Sequence, residues 1–393
     1  MSDREFDVII FGATGFTGRL VAEYIQKEYG DNVRWAMAGR SESKLKDVRD
    51  KMGVSKDVAL IVADSSDLDS LAHMAKRTKV IITTVGPYQL YGESLVAACA
   101  AHGTDYVDLC GEPPWMRDII STYADKAKES GARIVLSCGF DSVPFDLGVY
   151  FLQQKAIAEF GAPCPVVRGR VRKMQGTFSG GTAASFMETM KRAAKEPHIL
   201  DWLKDPFSLV PEFNGPAQPT GHKVIFEADL DTWSAPFIMA SINTKNVHRS
   251  NALLGHQYGE DFKYDEMVAT GPGEKGEQAA NYVANDKSMA TNPPKPGEGP
   301  SLEERENGFY DVMFVGQGPK GESIVAGVTG DKDPGYGSTS KMITESALTL
   351  AYDVDRKKTP GGVYTSAPAM GEALIKRLVE HAGLTFEIEK ISK

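Results

Sequence analysis

A doubly wound parallel α/β sheet, followed by a second, mixed α+β unit on an open sheet, is the architecture this sequence predicts. Three observations predict it. Over the first 137 residues six short apolar runs alternate with helical stretches, and a glycine-rich turn joins the first run to the first helix. Beyond Asp141 the alternation gives way to longer strands of inside–outside pattern. Parallel strands covered on both faces read as near-continuous apolar runs, and helical crossovers connect them.

The predicted strands are residues 8–11, 33–38, 58–62, 80–84, 106–109 and 133–136, with helices at 20–27, 42–52, 90–102 and 115–129. Six such strands make a Rossmann-type sheet. A helix over 147–160 and an alternating strand over 166–174 open the second unit. Further strands are expected at 223–228, 309–315 and 323–328, the last two joined by Gly318-Pro319-Lys320-Gly321 as an antiparallel hairpin. Residues 270–300 hold five Gly and five Pro, ending in Pro293-Pro294-Lys295-Pro296-Gly297, and predict a long flexible surface loop. His248-Arg249 reads as the start of a helical stretch, and Gly361-Gly362 as a glycine-rich loop feeding a helix. The expected division is a nucleotide-binding domain over 1–140, a substrate and dimerisation domain over 141–360, and a segment over 361–393 that returns to the first domain.

Composition narrows the function. The chain has 393 residues, 41% hydrophobic and 25% charged, which excludes a disordered chain, a collagen-like repeat and a disulfide scaffold. A net charge of −9 provides no global attraction for nucleic acid or anionic lipid. No apolar run approaches the roughly 18 residues that span a bilayer, and the first strand begins at Phe6, so no presequence is expected. Four cysteines form no C-x-x-C pair, and no histidine has zinc spacing. Reduced thiols, no metal and a cytoplasmic protein follow as expectations, with peripheral contact to a lipid surface left open.

The turn after the first strand is Gly12-Ala13-Thr14-Gly15-Phe16-Thr17-Gly18, a G-x-x-G-x-x-G variant of the dinucleotide fingerprint. Gly12 permits the tight turn, Gly15 lets the backbone approach a pyrophosphate, and Gly18 lets helix and strand pack closely. The helix N-terminus supplies N–H groups and positive potential for the phosphates. At the end of the second strand an NAD-type site would carry an acid for the ribose 2′-hydroxyl; here stand Arg40 and Ser41, with Lys44 one turn on. Arg40 suits a 2′-phosphate, so NADP(H) is the expected cofactor. Asp64, past the third strand, reads equally as an adenine contact or a turn residue.

In an open α/β sheet ligands lie over the carboxyl ends of the strands. Loops there carry Val85-Gly86-Pro87-Tyr88 through Tyr91, Cys110-Gly111-Glu112 and Cys138 through Pro144. Val85, Gly86, Pro87, Cys110 and Gly111 are therefore added to the cofactor contacts. Tyr88 and Tyr91 are candidate proton donors, each with a packing role as the alternative. Asp141 reads as an acid/base group or as a helix N-cap. No tyrosine is followed four residues later by lysine, which removes the Tyr-x-x-x-Lys pair of short-chain dehydrogenases. No G-x-S-x-G elbow or H-E-x-x-H helix occurs, which argues against hydrolases. Arg168, Arg170 and Arg172 share one strand face, either solvated or a dock for an anionic handle. Cys110 and Cys138 end neighbouring strands, where they read as inert thiols or as a pair meeting near the cofactor.

These loops carry a family resemblance. With Gly12–Gly18, Gly86 to Cys99, Tyr106–Glu112, Gly139–Pro144, Ser179–Thr182, Trp233 to Met239, Arg249-Ser250-Asn251, Gly335-Tyr336-Gly337 and Gly361 to Gly371, the sequence resembles the saccharopine dehydrogenase-like oxidoreductases, including the trans-acting enoyl reductases. The resemblance spans nearly the whole chain except 270–300 and implies the fold and a dinucleotide site. The expected activity is NADPH-dependent reduction of an enoyl-type C=C bond in a hydrophobic or carrier-linked thioester substrate, in a homodimer. Two other readings stand beside it: an NADP(H)-binding sensor or scaffold without turnover, and an imine or carbonyl reductase of the saccharopine type.

Overall fold

Val8, Ile9 and Ile10 expose no surface at all, although consecutive strand residues point to opposite faces, so their strand is covered on both sides. In the computed structural model, which describes residues 4–177, 180–286 and 299–393, this strand is β1 (Phe6–Phe11). It pairs in parallel with β2 (Trp35–Gly39) and β4 (Thr78–Thr83). The sheet continues through β3 (Ala59–Val62), β5 (Asp105–Val107), β6 (Arg133–Val135) and β13 (Gly362–Tyr364), in the order β13-β6-β5-β4-β1-β2-β3, with every pair parallel. The six strands expected from sequence are all present, each within two residues of its expected ends; β13 is the seventh.

The crossovers are α1 (Phe16–Glu28), α2 (Glu42–Lys51), α3 (Leu68–Arg77), the short α4 (Tyr88–Tyr91) with α5 (Glu93–His102), and α6 (Pro113–Ser130). After β6 comes α7 (Val143–Phe160). The second sheet contains β7 (Val166–Gln175), β8 (Ile225–Glu227), β9 (Thr232–Pro236), β10 (Lys263–Gly271), β11 (Phe309–Gln317), β12 (Ser323–Gly330) and β14 (Leu384–Ser392). Its order is β14-β12-β11-β7-β10-β9-β8, antiparallel except where β7 meets β10. Around it lie α8 (Gly180–Lys195), α9 (Ile199–Lys204), α10 (Ala240–Leu253), α11 (Gly273–Ala284), α12 (Leu302–Asn307), α13 (Thr339–Leu348) and α14 (Ser366–His381).

The two sheets share a core. Val8, Ile10, Val80, Ile82 and Val135 on one face of the first sheet join a single apolar cluster with Phe145 and Leu152 of α7 and Val171, Val312 and Phe314 of the second. The opposite face, with Ile9, Ile81 and Ile134, packs with Leu95, Val96, Trp115 and Ile119 of α5 and α6.

Three expectations need correction. The 270–300 stretch is no continuous loop: β10 runs to Gly271 and α11 occupies 273–284, while Pro293–Gly297, like Ser179, lies outside the described residues. His248 and Arg249 do not begin a helix; α10 starts eight residues earlier and buries both. Strands β9, β10 and β14 were not expected at all. The Gly318–Gly321 hairpin forms as expected, joining β11 to β12. Among the described residues no helix is long and apolar enough to cross a membrane.

Candidate functional site

Gly12 has φ +90°, and a Cβ there would stand 2.7 Å from Val85 Cγ2. The first turn thus packs directly on the end of β4, in a conformation that glycine adopts without strain. A Cβ at Gly18 would fall 2.1 Å from the Gly12 carbonyl oxygen, so α1 can start this close to β1 only without a side chain. Gly15 differs: it is exposed, and a Cβ there would meet only the Gly12 oxygen, at 3.3 Å. Its open side is where a phosphate group can approach. Gly15 caps α1 without a side chain, and no acid stands in the first turn. Ala13 is buried, with Thr14, Phe16 and Thr17 half-buried around the turn. On this geometry the cradle fits a dinucleotide pyrophosphate.

Arg40 follows β2, exposed and without an acceptor among the described residues. Ser41 caps α2, its hydroxyl accepting from the Lys44 N–H at 3.4 Å, which leaves the exposed Lys44 ammonium beside Arg40. Two free cations at this position suit the 2′-phosphate of NADP(H). Asp64 builds its own turn: Oδ1 accepts from the Ser66 N–H (2.9 Å) and hydroxyl (2.7 Å). Those bonds, with Arg40 nearby, hold its carboxyl below the usual range.

At the end of β4, Val85 and Pro87 are half-buried and Gly86 is exposed. Glu112, a residue that sequence reasoning left without a role, organises the surroundings. Its carboxylate accepts from the N–H groups of Tyr88 (2.8 Å) and Gln89 (2.9 Å) at the start of α4, and from the Ser185 hydroxyl of α8 (2.6 Å). Tyr88 is buried, its hydroxyl donating to the Thr83 carbonyl (3.3 Å) and accepting from the Leu109 N–H (3.0 Å). Burial and the neighbouring Asp108 push it well above the usual tyrosine range. Tyr91, on the same short helix, is 46% exposed. A groove of about 440 Å³ runs between α6 and α8, lined among others by Leu90, Trp115, Ile119 and Arg192.

Cys110 is buried, its sulfur accepting from the Glu112 N–H, and Gly111 beside it is exposed. Cys138 is also buried, but it belongs to the apolar cluster on the other face of the sheet. The two thiols therefore do not meet, and burial drives both well above the usual thiol range.

Asp141 sits above the end of β6, between the two sheets. It does not cap α7: the N-cap residue is Ser142, and no side chain bonds the helix end there. Its Oδ2 lies 4.0 Å from where a Gly111 Cβ would be, so the missing side chain opens the space beside it. No described residue hydrogen-bonds its carboxyl. Burial alone pushes it up to about 7. Behind it stands Glu266 of β10, 1% exposed, which accepts from Tyr264 Oη and Asn243 Nδ2, both at 2.9 Å. Burial, with smaller contributions from Asp265 and then Asp141, pushes Glu266 up to about 8. Asn246, one turn along α10 from Asn243, donates to the Ser142 hydroxyl at 2.7 Å. Sequence reasoning missed Glu266, since β10 itself went unrecognised.

The arginine face of β7 is not an open anion dock. Arg168 pairs with Glu227 and Asp229, Arg170 with Glu227 and Asp265, and Arg172 with Asp311 and Glu389. A buried guanidinium requires such partners, and here the chain's own carboxylates fill the role. Among the described residues no group of three or more His, Cys, Asp or Glu is arranged to hold a metal ion.

Residues 8–135 match the family model of the saccharopine dehydrogenase NADP binding domain, which covers the glycine turn, Arg40 and the loops to Glu112. The chain is 38% identical over 406 residues to a trans-acting enoyl reductase of Mycobacterium ulcerans, covering 96% of each chain. It is 40% identical over 415 residues, covering 99% of each, to a Mycobacterium tuberculosis protein provisionally named a trans-acting enoyl reductase. Among solved structures, yeast saccharopine dehydrogenase (L-Glu forming) superposes with TM-score 0.54 at 11% identity, over 99% of this chain and 100% of that one. Homospermidine synthase of Legionella pneumophila, in complex with NAD, gives 0.55 at 8% identity, over 98% and 92%. At these identities the two structures speak for the fold alone.

Proposed function

The chain belongs to the saccharopine dehydrogenase-like oxidoreductases, among the trans-acting enoyl reductases, and from that premise we propose that it reduces the activated C=C bond of a hydrophobic, thioester-linked substrate, with Asp141 as the proton donor. It is an NADP(H)-dependent oxidoreductase. The bound cofactor supplies the hydride, which adds to the carbon β to the carbonyl.

The observation that carries the reading is the unpartnered Asp141 carboxyl beside Gly111, at the carboxyl end of the parallel sheet. An acid kept protonated near neutral pH, with no hydrogen-bond partner among the described residues, can protonate the carbon α to the thioester carbonyl. The hydride and this proton together saturate the double bond. Burial keeps Asp141 protonated, and Tyr264 and Asn243 fix the neighbouring Glu266 in position. Saccharopine-type imine chemistry needs cations for amino-acid carboxylates, and the arginines of β7 are already paired.

Asp141→Asn should retain NADPH affinity and lose about 100-fold or more in kcat. Wild-type kcat should fall as pH rises through about 7, where Asp141 ionises, and the residual rate of the variant should be flat there. A variant within threefold of wild type would remove Asp141 from the chemistry. Tight NADPH binding with no oxidation across enoyl thioesters, imines and carbonyls would instead favour a sensor.

A further inference from the structure

Arginine is costly to leave without an acceptor, and this chain rarely does so. Arg4, Arg34, Arg49, Arg77, Arg117, Arg133, the three arginines of β7, Arg192, Arg249, Arg356 and Arg377 all reach a carboxylate or a carbonyl oxygen. Arg19, Arg40 and Arg305 have no such acceptor among the described residues. Arg40 stands at the end of β2. The other two converge on one side chain, Phe16, at the first position of α1.

The Arg19 guanidinium carbon lies 4.7 Å from the Phe16 ring centroid and that of Arg305 lies 6.0 Å away. Arg19 belongs to α1, but Arg305 belongs to α12, just before the second-sheet strand β11. That part of the chain is built against the phosphate turn. The Tyr336 ring meets Phe16 edge-on at 4.6 Å, and a Cβ at Gly299 would stand 2.7 Å from the Phe16 ring. Arg305 is anchored through its backbone, its carbonyl accepting from the Asp333 N–H at 3.2 Å. The nearby Asp333 carboxylate is committed to the N–H groups of Tyr336 (3.0 Å) and Gly337 (2.8 Å). Arg305 Nε is shielded from solvent with no partner, a donor that an anion would satisfy.

We propose that Arg305, with Arg19, completes the dinucleotide site from the second-sheet side, pairing with the cofactor's pyrophosphate while Arg40 takes the 2′-phosphate. The proposal rests on the NADP(H) reading and adds to it a residue some 290 positions beyond the glycine turn. Phe16 is the spacer: its ring attracts both guanidinium groups to one place beside the turn, where their N–H donors can serve phosphate oxygens. Bound cofactor would then bridge the two parts of the chain.

Three probes separate the phosphates: NADPH carries both groups, NADH only the pyrophosphate, and adenosine 2′-monophosphate only the 2′-phosphate. Titrating the full-length protein by fluorescence or calorimetry, Arg305→Gln should weaken NADPH and NADH alike, by about tenfold or more, and spare adenosine 2′-monophosphate. Arg19→Gln, an independent change on α1, should do the same. Arg305→Lys, which keeps the charge, should lose less than Arg305→Gln. Arg40→Ala should show the reverse pattern, weakening NADPH and adenosine 2′-monophosphate while sparing NADH. The clamp is overturned if Arg305→Gln leaves NADPH affinity within twofold, if it weakens adenosine 2′-monophosphate as much as NADPH, or if Arg305→Lys falls as far as Arg305→Gln. Wild-type protein that fails to bind NADPH would overturn the cofactor reading itself, a distinguishable result.

Discussion

Tyr88 and Tyr91 lie one helical turn apart, yet the polar atoms around them give their hydroxyls different work. Tyr88 joins two backbone groups, Thr83 O and Leu109 N, and closes the loops of β4 and β5 onto each other. Removing its oxygen strands the Leu109 N–H. Tyr88→Phe should therefore cost about 1–2 kcal/mol of stability in urea melts, with kcat largely kept. Tyr91→Phe should change neither. A large kcat loss in Tyr88→Phe at unchanged stability would return that hydroxyl to the chemistry. At this scale the sequence located the loops, because glycine and proline mark them. It did not reveal which side chain kept a free polar atom. That depends on partners far along the chain: Asp141 faces Glu266, 125 residues on, and Glu112 reaches Ser185.

Among elements, the β1–α1 junction was the most legible, since each glycine answers to a separate steric demand. Gly15→Ala meets no close neighbour apart from the Gly12 oxygen, so its melting temperature should stay near wild type while NADPH affinity falls, because the methyl fills the phosphate approach. Gly18→Ala drives a methyl into the Gly12 carbonyl and should cost about 3 kcal/mol or more. Thermal melts and fluorescence titration of the pair check this; equal melting temperatures would show that the junction relaxes.

The parallel strands were readable because burial on both faces leaves little but apolar residues. β10 was not, for its buried run Tyr264-Asp265-Glu266 places polar groups on both faces, one side serving Asn243 and the other Arg170. β14 mixes charged and apolar residues at a sheet edge and has only its first residue fully buried. α11 was hidden by its glycines. A Cβ at Gly276 would fall 1.9 Å from the Gly271 oxygen, so this glycine marks a close approach to β10 where composition suggested a loop.

For the molecule as a whole, the −9 charge conceals carboxyls that burial holds protonated. Asp108, Asp141 and Asp146 are pushed up to about 7 and Glu266 to about 8, in each case chiefly by burial. The folded state thus binds protons more tightly than the unfolded chain. The stability these groups give is complete below their ordinary range and is lost as pH rises through 7 and 8. His248 works oppositely. Burial lowers it to about 3, so its contribution is lost as pH falls below the ordinary histidine value of 6.5. The melting temperature should therefore rise, on the order of 5 °C, from pH 8.5 to pH 6.5. A flat profile across that window would mean that these carboxyls ionise freely in the folded protein.

The placement of β13 and β14 ties the fate of one sheet to that of the other. β13 forms the edge of the first sheet beside β6, and β14 forms the edge of the second beside β12. The single stretch from β13 through α14 to β14 thus covers one backbone edge of each sheet. Should that stretch detach, β6 and β12 are bared together, and each becomes open to pairing with another chain. Local unfolding of one short segment therefore endangers both halves of the fold at once.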